Sequence, residues 1–232
     1  SGTWSLMGVE LNQPFITAQS LEYNFTNEGG VCGTFRFLKN IMGLWLVQEC
    51  RREWMRAGIS YSYDELSAMA STAPPFVAFV DPDDARFLPP GDMVARLQGF
   101  CRETGQSVPD TPPALIRCCL ESLALEYRWV AERLEKLLLR SLPVIHIIGG
   151  GSRNALLNQF TANATQRLVI AGPAEATTVG NLLIQALGLG LLSSLSEARA
   201  VVRNSFEVMH YQPADQDAWE EAYGVYLKLK SR

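Results

Sequence analysis

The stretch PVIHIIGGGSRNALLNQFTANAT, Pro143 to Thr165, reads as an apolar strand over Val144 to Ile148, three consecutive glycines, and a helix that starts near Ser152 to Asn154. Glycines at such a corner let the backbone approach a ligand with no Cβ in the way, and the helix that follows presents free N–H groups and a positive dipole end. The pattern is neither G-x-G-x-x-G nor G-x-x-x-x-G-K-[ST], so it implies neither a dinucleotide fingerprint nor a P-loop. A tight strand-to-helix turn with no ligand satisfies the same local pattern. A second unit follows at once: Leu168 to Ala171 as a strand, Gly172-Pro173 as a turn, then a helix carrying Ala174, Ala176, Thr177, Thr178, Gly180, Asn181, Ala186 and Gly188. Small residues on that helix suit close packing or leave room for a flat ring. Two linked strand–turn–helix units make an α/β nucleotide-binding section of residues 143–232 and place Gly150 and Asn154 at its corner.

Towards the N-terminus the texture changes. Pro112-Pro113 opens a long helix in which Leu115, Cys119, Leu123, Tyr127, Val130, Leu134 and Leu138 recur every three or four residues, until Ser141-Leu142-Pro143 stops it. A further helix is expected over Met93 to Glu103, and a short strand over Phe76 to Val80 leading into DPDDARFLPPGD. From Phe37 to about Met55 the apolar residues Phe37, Leu38, Ile41, Met42, Leu44, Trp45 and Leu46 suggest a packed helix. Residues 37–142 therefore read as a mainly helical section. Residues 1–36 read as first strands, with alternation from Ser1 to Phe15, a second strand at Tyr23 to Thr26, and a turn at Asn27-Glu28-Gly29-Gly30. The chain starts without an initiator methionine and runs straight into this alternation, as a fragment would.

Composition narrows the function. With 232 residues, 47% of them apolar, the chain can fill a substantial core. A net charge of −4 leaves no basic stripe for nucleic acid or an anionic membrane surface, and the longest apolar run, near Leu182 to Leu195, is short and interrupted. Five cysteines (Cys32, Cys50, Cys101, Cys118 and Cys119) contain no C-x-x-C and mostly lie in apolar, helix-like runs, which suits structural thiols in a reducing cytosol. Only two histidines, His146 and His210, are present, too few for a histidine-rich metal site. His146 reads as a core histidine inside VIHII, and Asp81, Asp83 and Asp84 as a solvated turn.

Three more positions hold chemistry that suits a ligand. Ser1-Gly2-Thr3 combines hydroxyls with a glycine at the entry to a strand, a combination able to hold phosphate oxygens, as any surface turn also can. Asn40 and Gln48, eight residues apart in the helix expected there, are polar side chains among apolar neighbours. They need partners, either backbone or ligand.

Taken together, SGTWSLMG, NEGG followed by FRFLKNIMGLWLVQE, DPDDARF and IIGGGSRNALLNQFTANAT resemble the C-terminal lobe of the FGGY family of carbohydrate kinases, over nearly the whole chain and in order. The resemblance implies an actin-like ATPase fold of two ribonuclease-H-like lobes, with ATP or ADP, Mg2+ and a sugar in the cleft between them. By the same resemblance Thr3 meets the terminal phosphates, Gln48 the nucleotide, and Gly150 with Asn154 the adenosine part, while Asn40 reaches toward the sugar. The NEGG to GLWLVQE stretch is closest to the branch that phosphorylates the C1 hydroxyl of L-rhamnulose. Xylulose, fuculose and glycerol remain alternative acceptors, and a non-catalytic assembly module an alternative role. The family's general-base aspartate falls just upstream of the segment matching Ser1, so no catalytic residue is assigned here, and the N-terminal lobe is expected as a partner.

Overall fold

The computed structural model describes residues 2–231. The elements are β1 (Trp4–Leu11), α1 (Ala18–Glu22), β2 (Thr26–Gly29), β3 (Phe35–Met42), α2 (Trp45–Arg56), α3 (Tyr63–Thr72), α4 (Met93–Glu103), α5 (Pro112–Leu138), β4 (Val144–Ile147), α6 (Ala155–Thr165), β5 (Leu168–Ala171), α7 (Ala176–Gly188), α8 (Leu195–Ser205), β6 (Met209–Tyr211) and α9 (Gln216–Lys230). They build two three-stranded sheets, one ordered β1-β3-β2 and fully antiparallel, the other β4-β5-β6 with β4 and β5 parallel.

The long helix α5 is the spine. Its predicted stripe is the buried one: Leu115, Cys119, Leu123, Tyr127, Val130 and Leu134 are all inside, and β1, α3 and α6 pack around it. Pro112 and Pro113 occupy its first positions, where a missing N–H leaves no intrahelical bond unmade. Phe37, fully buried, stacks on Phe25 at 5.0 Å and meets Phe15 at 5.2 Å, pinning the first sheet to the core. Four of the five cysteines, Cys50, Cys101, Cys118 and Cys119, are buried in this helical core, and Cys32 is exposed.

Several expectations are corrected. The apolar run from Phe37 is not one helix. It is strand β3 to Met42, a turn at Gly43-Leu44, then helix α2, because the dense apolar residues serve a buried strand first and a buried helix face afterwards. The second strand starts at Thr26 and includes Asn27 to Gly29, while Tyr23 ends the short helix α1. Phe76 to Val80 forms no strand. Its N–H groups are taken by side chains instead: Phe76 donates to Glu121 (2.9 Å), Phe79 to Gln106 (2.8 Å) and Val80 to Ser122 (2.9 Å). His146 is exposed on β4, not in the core. None of the residues of α7 is buried, so of the two roles its small side chains suit, close packing is not the one seen in this chain.

The DPDD segment is a structural knot rather than a solvated turn. Asp81 pairs with Lys230 at 3.0 Å, Asp83 pairs with buried Lys39 at 3.0 Å and accepts the Met42 N–H at 3.0 Å. Lys230 also reaches Glu126 on α5 at 3.0 Å, and the Tyr226 hydroxyl donates to the same carboxylate at 2.7 Å. Burial pushes the Glu126 carboxyl up to about 7, reinforced by Asp83 and Asp81 and opposed by Lys230 and the Tyr226 hydroxyl. These charges lock α9, α5, β3 and the 81–84 loop to one another.

Candidate functional site

Thr3 and Gln48, 45 residues apart, are brought together: the Thr3 hydroxyl donates to Gln48 Oε1 at 3.1 Å, on the exposed surface. The cause is local packing. The Leu44 N–H donates to Gly2 O (2.9 Å) and the Trp45 N–H to Thr3 O (3.1 Å), so the start of α2 docks on the residues that precede β1. Only glycine fits at position 43, where a Cβ would stand 2.8 Å from Gly2 O and 2.9 Å from Ser5 N. Gln48 lies one turn into α2 and so faces Thr3.

Asn40 is on strand β3, opposite Leu6 of β1, and does not share a helix with Gln48. Cross-strand partners point to the same face. Asn40 therefore stands with exposed Trp4 and Leu6 on the open face of the first sheet, while Ser5, Lys39 and Ile41 turn inward. Ser5 Oγ lies 2.6 Å from the Tyr127 hydroxyl of α5, which fixes β1 from behind.

The glycine corner closes β4. Gly149 has φ of 81°, a conformation that disfavours any side chain. Residues Gly150–Arg153 make one tight helical turn before α6. A Cβ at Gly150 would meet nothing within 4 Å, so this residue faces open space. The Asn154 side-chain oxygen accepts the Leu157 N–H at 2.9 Å and caps α6. Its NH2 half takes no part in that cap. The neighbouring turn is tied in by Gly172 N–H to Ile147 O at 2.8 Å.

A slot of about 80 Å³ separates the edges of the two sheets, lined by Ser5, Leu6 and Met7 of β1, by Ile145 to Ile148, and by Tyr127 and Thr161. Thr3 lies two residues before one wall and Gly150 two residues beyond the other. Among the described residues, no group of three or more His, Cys, Asp or Glu side chains could hold a metal ion, and no helix is long and apolar enough to cross a membrane.

Sequence reasoning missed Glu126 and Asn158. Both are polar residues at positions that α5 and α6 bury completely, a mismatch visible once the helical register is drawn.

A mixed α/β lobe with a helical middle section of this kind has the actin-like, ribonuclease-H-like ATPase fold. Solved sugar kinases share it: ligand-bound xylulose kinase from Lactobacillus acidophilus superposes with a TM-score of 0.71 at 16% identity, over 99% of this chain and 46% of that one. Plasmodium falciparum glycerol kinase with ADP gives 0.59 at 15% identity, over 88% of this chain and 44% of that one. The chain belongs to the FGGY family of carbohydrate kinases, whose C-terminal domain matches residues 1–189. Curated relatives include rhamnulokinases from Bacteroides thetaiotaomicron (49% identity over 96% of this chain and 45% of the relative) and Enterococcus faecalis (44% identity over 100% of this chain and 47% of the relative). The chain spans about half the length of the curated relatives it matches.

Proposed function

We propose that this chain is the C-terminal, ATP-binding lobe of a rhamnulokinase, working in the cytoplasm. The whole enzyme would transfer the γ-phosphoryl group of ATP to the C1 hydroxyl of L-rhamnulose in rhamnose breakdown. The observation that carries the choice of sugar is the 49% identity to a rhamnulokinase along 96% of the chain, far above the 16% shared with a xylulose kinase of the same fold.

In this reading Thr3 holds the terminal phosphates. Phosphate oxygens only accept, so the Thr3 proton turns from Gln48 to the phosphate, and Gln48 keeps the hydroxyl in place through its other hydrogen-bonding positions. Gly150 admits the adenosine part against the corner, with the Asn154 NH2 as a donor beside it. Asn40 offers its amide to the sugar from the open face of the first sheet. Magnesium, when bound with the nucleotide, would offset the charge that spreads over the transferring phosphoryl oxygens. The proton of the acceptor hydroxyl needs a carboxylate, and the proposed source lies outside this chain, with the N-terminal lobe. A missing general base costs about 10² to 10⁴ in rate, and half a cleft neither orients the sugar nor excludes water. This polypeptide alone is therefore expected to bind nucleotide without useful turnover.

The test is a calorimetric titration with magnesium ADP beside Gly150→Trp, whose Cβ would meet nothing within 4 Å. Saturable binding by the parent, lost in a variant of unchanged thermal midpoint, is the expected result. Equal binding by both would remove Gly150 from the site. Joined to its N-terminal lobe, the enzyme should prefer L-rhamnulose in a panel with xylulose, fuculose and glycerol; preference for another acceptor overturns the sugar, and no phosphorylation of any leaves a non-catalytic module.

A further inference from the structure

We propose that Asn158 is a positioning residue for the nucleotide corner: its buried amide grips the Ser152 carbonyl and holds residues 149–154 in the shape that keeps Gly150 open. The inference rests on the reading of that corner as the adenosine site.

Asn158 sits one turn into α6 and is fully buried. Its Nδ2 donates to Ser152 O at 2.8 Å, six residues back along the chain. Its Oδ1 has no hydrogen-bond partner. That orientation is set by chemistry, because turning the amide over would aim one acceptor oxygen at another. A buried oxygen without a partner works against folding, so an apolar side chain of similar volume would serve the core at least as well. What an apolar side chain would not do is hold the Ser152 carbonyl.

The turn depends on such a hold. Three glycines, Gly149 to Gly151, bring no side chains to pack, so hydrogen bonds and one exposed ion pair, Arg153 to Glu175 at 3.1 Å, carry its shape. Most are internal or run to its flanks: Ser152 N–H and Oγ both donate to Gly149 O, at 3.0 and 2.8 Å, and Asn154 N–H donates to Gly151 O at 3.1 Å. Gly149 N–H reaches Pro173 O at 3.3 Å, on the neighbouring loop. Asn158 adds the bond from the buried face of α6. α6 is anchored towards its other end too, on a different face, where Asn163 Oδ1 accepts the Ala214 N–H at 3.0 Å. α6 is thus a rigid post, and Asn158 is the point at which the glycine turn is fastened to it.

Asn158→Leu removes the grip and the orphaned oxygen together. Amide hydrogen exchange over residues 149–154 should rise about tenfold, with the urea midpoint held or raised and exchange in α5 and the rest of α6 unchanged. In the same chain the dissociation constant for magnesium ADP should rise roughly five- to tenfold, the scale of one lost hydrogen bond. In the two-lobe enzyme the KM for ATP should rise while kcat changes little. If Asn158→Leu does not fold, Asn158→Ser, too short to reach Ser152, is read by the exchange pattern and the nucleotide affinity alone, because its lost volume lowers the urea midpoint whatever becomes of the turn. Unchanged exchange in the turn, or a rise spread equally through α6 and α5, overturns the proposal, as does unaltered nucleotide affinity in a variant whose parent binds. If the parent fails to bind and Gly150→Trp changes nothing, the adenosine reading falls, and the exchange pattern still decides whether Asn158 fastens the turn.

Discussion

Replacing Glu126 with glutamine should remove a pH dependence from the stability of this lobe. The carboxyl is fully buried, and its rise from the ordinary 4.5 to about 7 comes first from burial, with Asp83 and Asp81 adding to it. The groups facing it are Lys230 and Tyr226 from α9 and the two aspartates of the 81–84 loop. A carboxyl that titrates higher in the folded than in the unfolded chain keeps its proton on folding between those two values. The folded state then binds more protons than the unfolded one, and stability falls as pH rises. Its contribution is complete below about 4.5 and lost as pH climbs through about 7. At about 1.36 kcal/mol per pH unit the full span is on the order of 3 kcal/mol. Glutamine mimics the protonated acid: one oxygen can accept from Tyr226 and Lys230, and nothing titrates. Urea unfolding of parent and Glu126→Gln at half-unit steps from pH 4.5 to 8, followed by tryptophan fluorescence, isolates this group because the other titrations cancel in the difference. The parent should lose stability relative to the variant by up to about 3 kcal/mol across that range. A difference that stays flat, or that grows in the parent's favour as pH rises, would refute the argument that burial outweighs Lys230.

Thr3→Ala removes an exposed hydrogen bond to Gln48; stability should move by less than about 0.5 kcal/mol, while magnesium ADP titration should show weakened binding, and undiminished affinity would take Thr3 out of the phosphate site. Gly43→Ala forces a Cβ against Gly2 O and Ser5 N, at a cost of about 1 to 3 kcal/mol, and should weaken nucleotide binding alongside, because Thr3 and Gln48 are held together by that contact; thermal unfolding and titration measured on one sample test both halves. Phe37→Ala opens the stack of Phe15, Phe25 and Phe37 and should lower unfolding free energy by about 3 to 5 kcal/mol, whereas a cost under 1 kcal/mol would mean the first sheet is not anchored there.

The strand, glycine turn and helix of Pro143 to Thr165 were legible in the sequence because each depends on neighbours: an apolar run, residues that tolerate positive φ, and an Asn able to cap. So was α5, whose single repeating stripe extends over 27 residues. The helices α1 and α3, which start at the capping boxes Thr17-Ser20 and Ser62-Glu65, were not read from the sequence. The run from Phe37 to Met55 was not legible. A buried strand and a buried helix face present the same dense apolar composition, and only pairing with β1 and β2 separates them. Likewise Phe76 to Val80 looks like a strand, but its N–H groups found side-chain acceptors on α5 and at Gln106 before any neighbouring strand.

By itself the sequence determined the class of fold, the family and the residue types at the candidate site, since those follow from local pattern and resemblance. Tertiary structure decided which of those residues meet. Thr3 touches Gln48 across 45 positions because Gly43 lets α2 close on the strand entry. Asn40 stands on a sheet face because β3 pairs with β1. DPDD becomes an internal ion network because Lys230, at the far end of the chain, is folded back onto it. The physical reason is common to all three. Hydrogen bonds and ion pairs between distant residues depend on how secondary elements pack, and packing is set by the shape of the whole core rather than by any window of sequence.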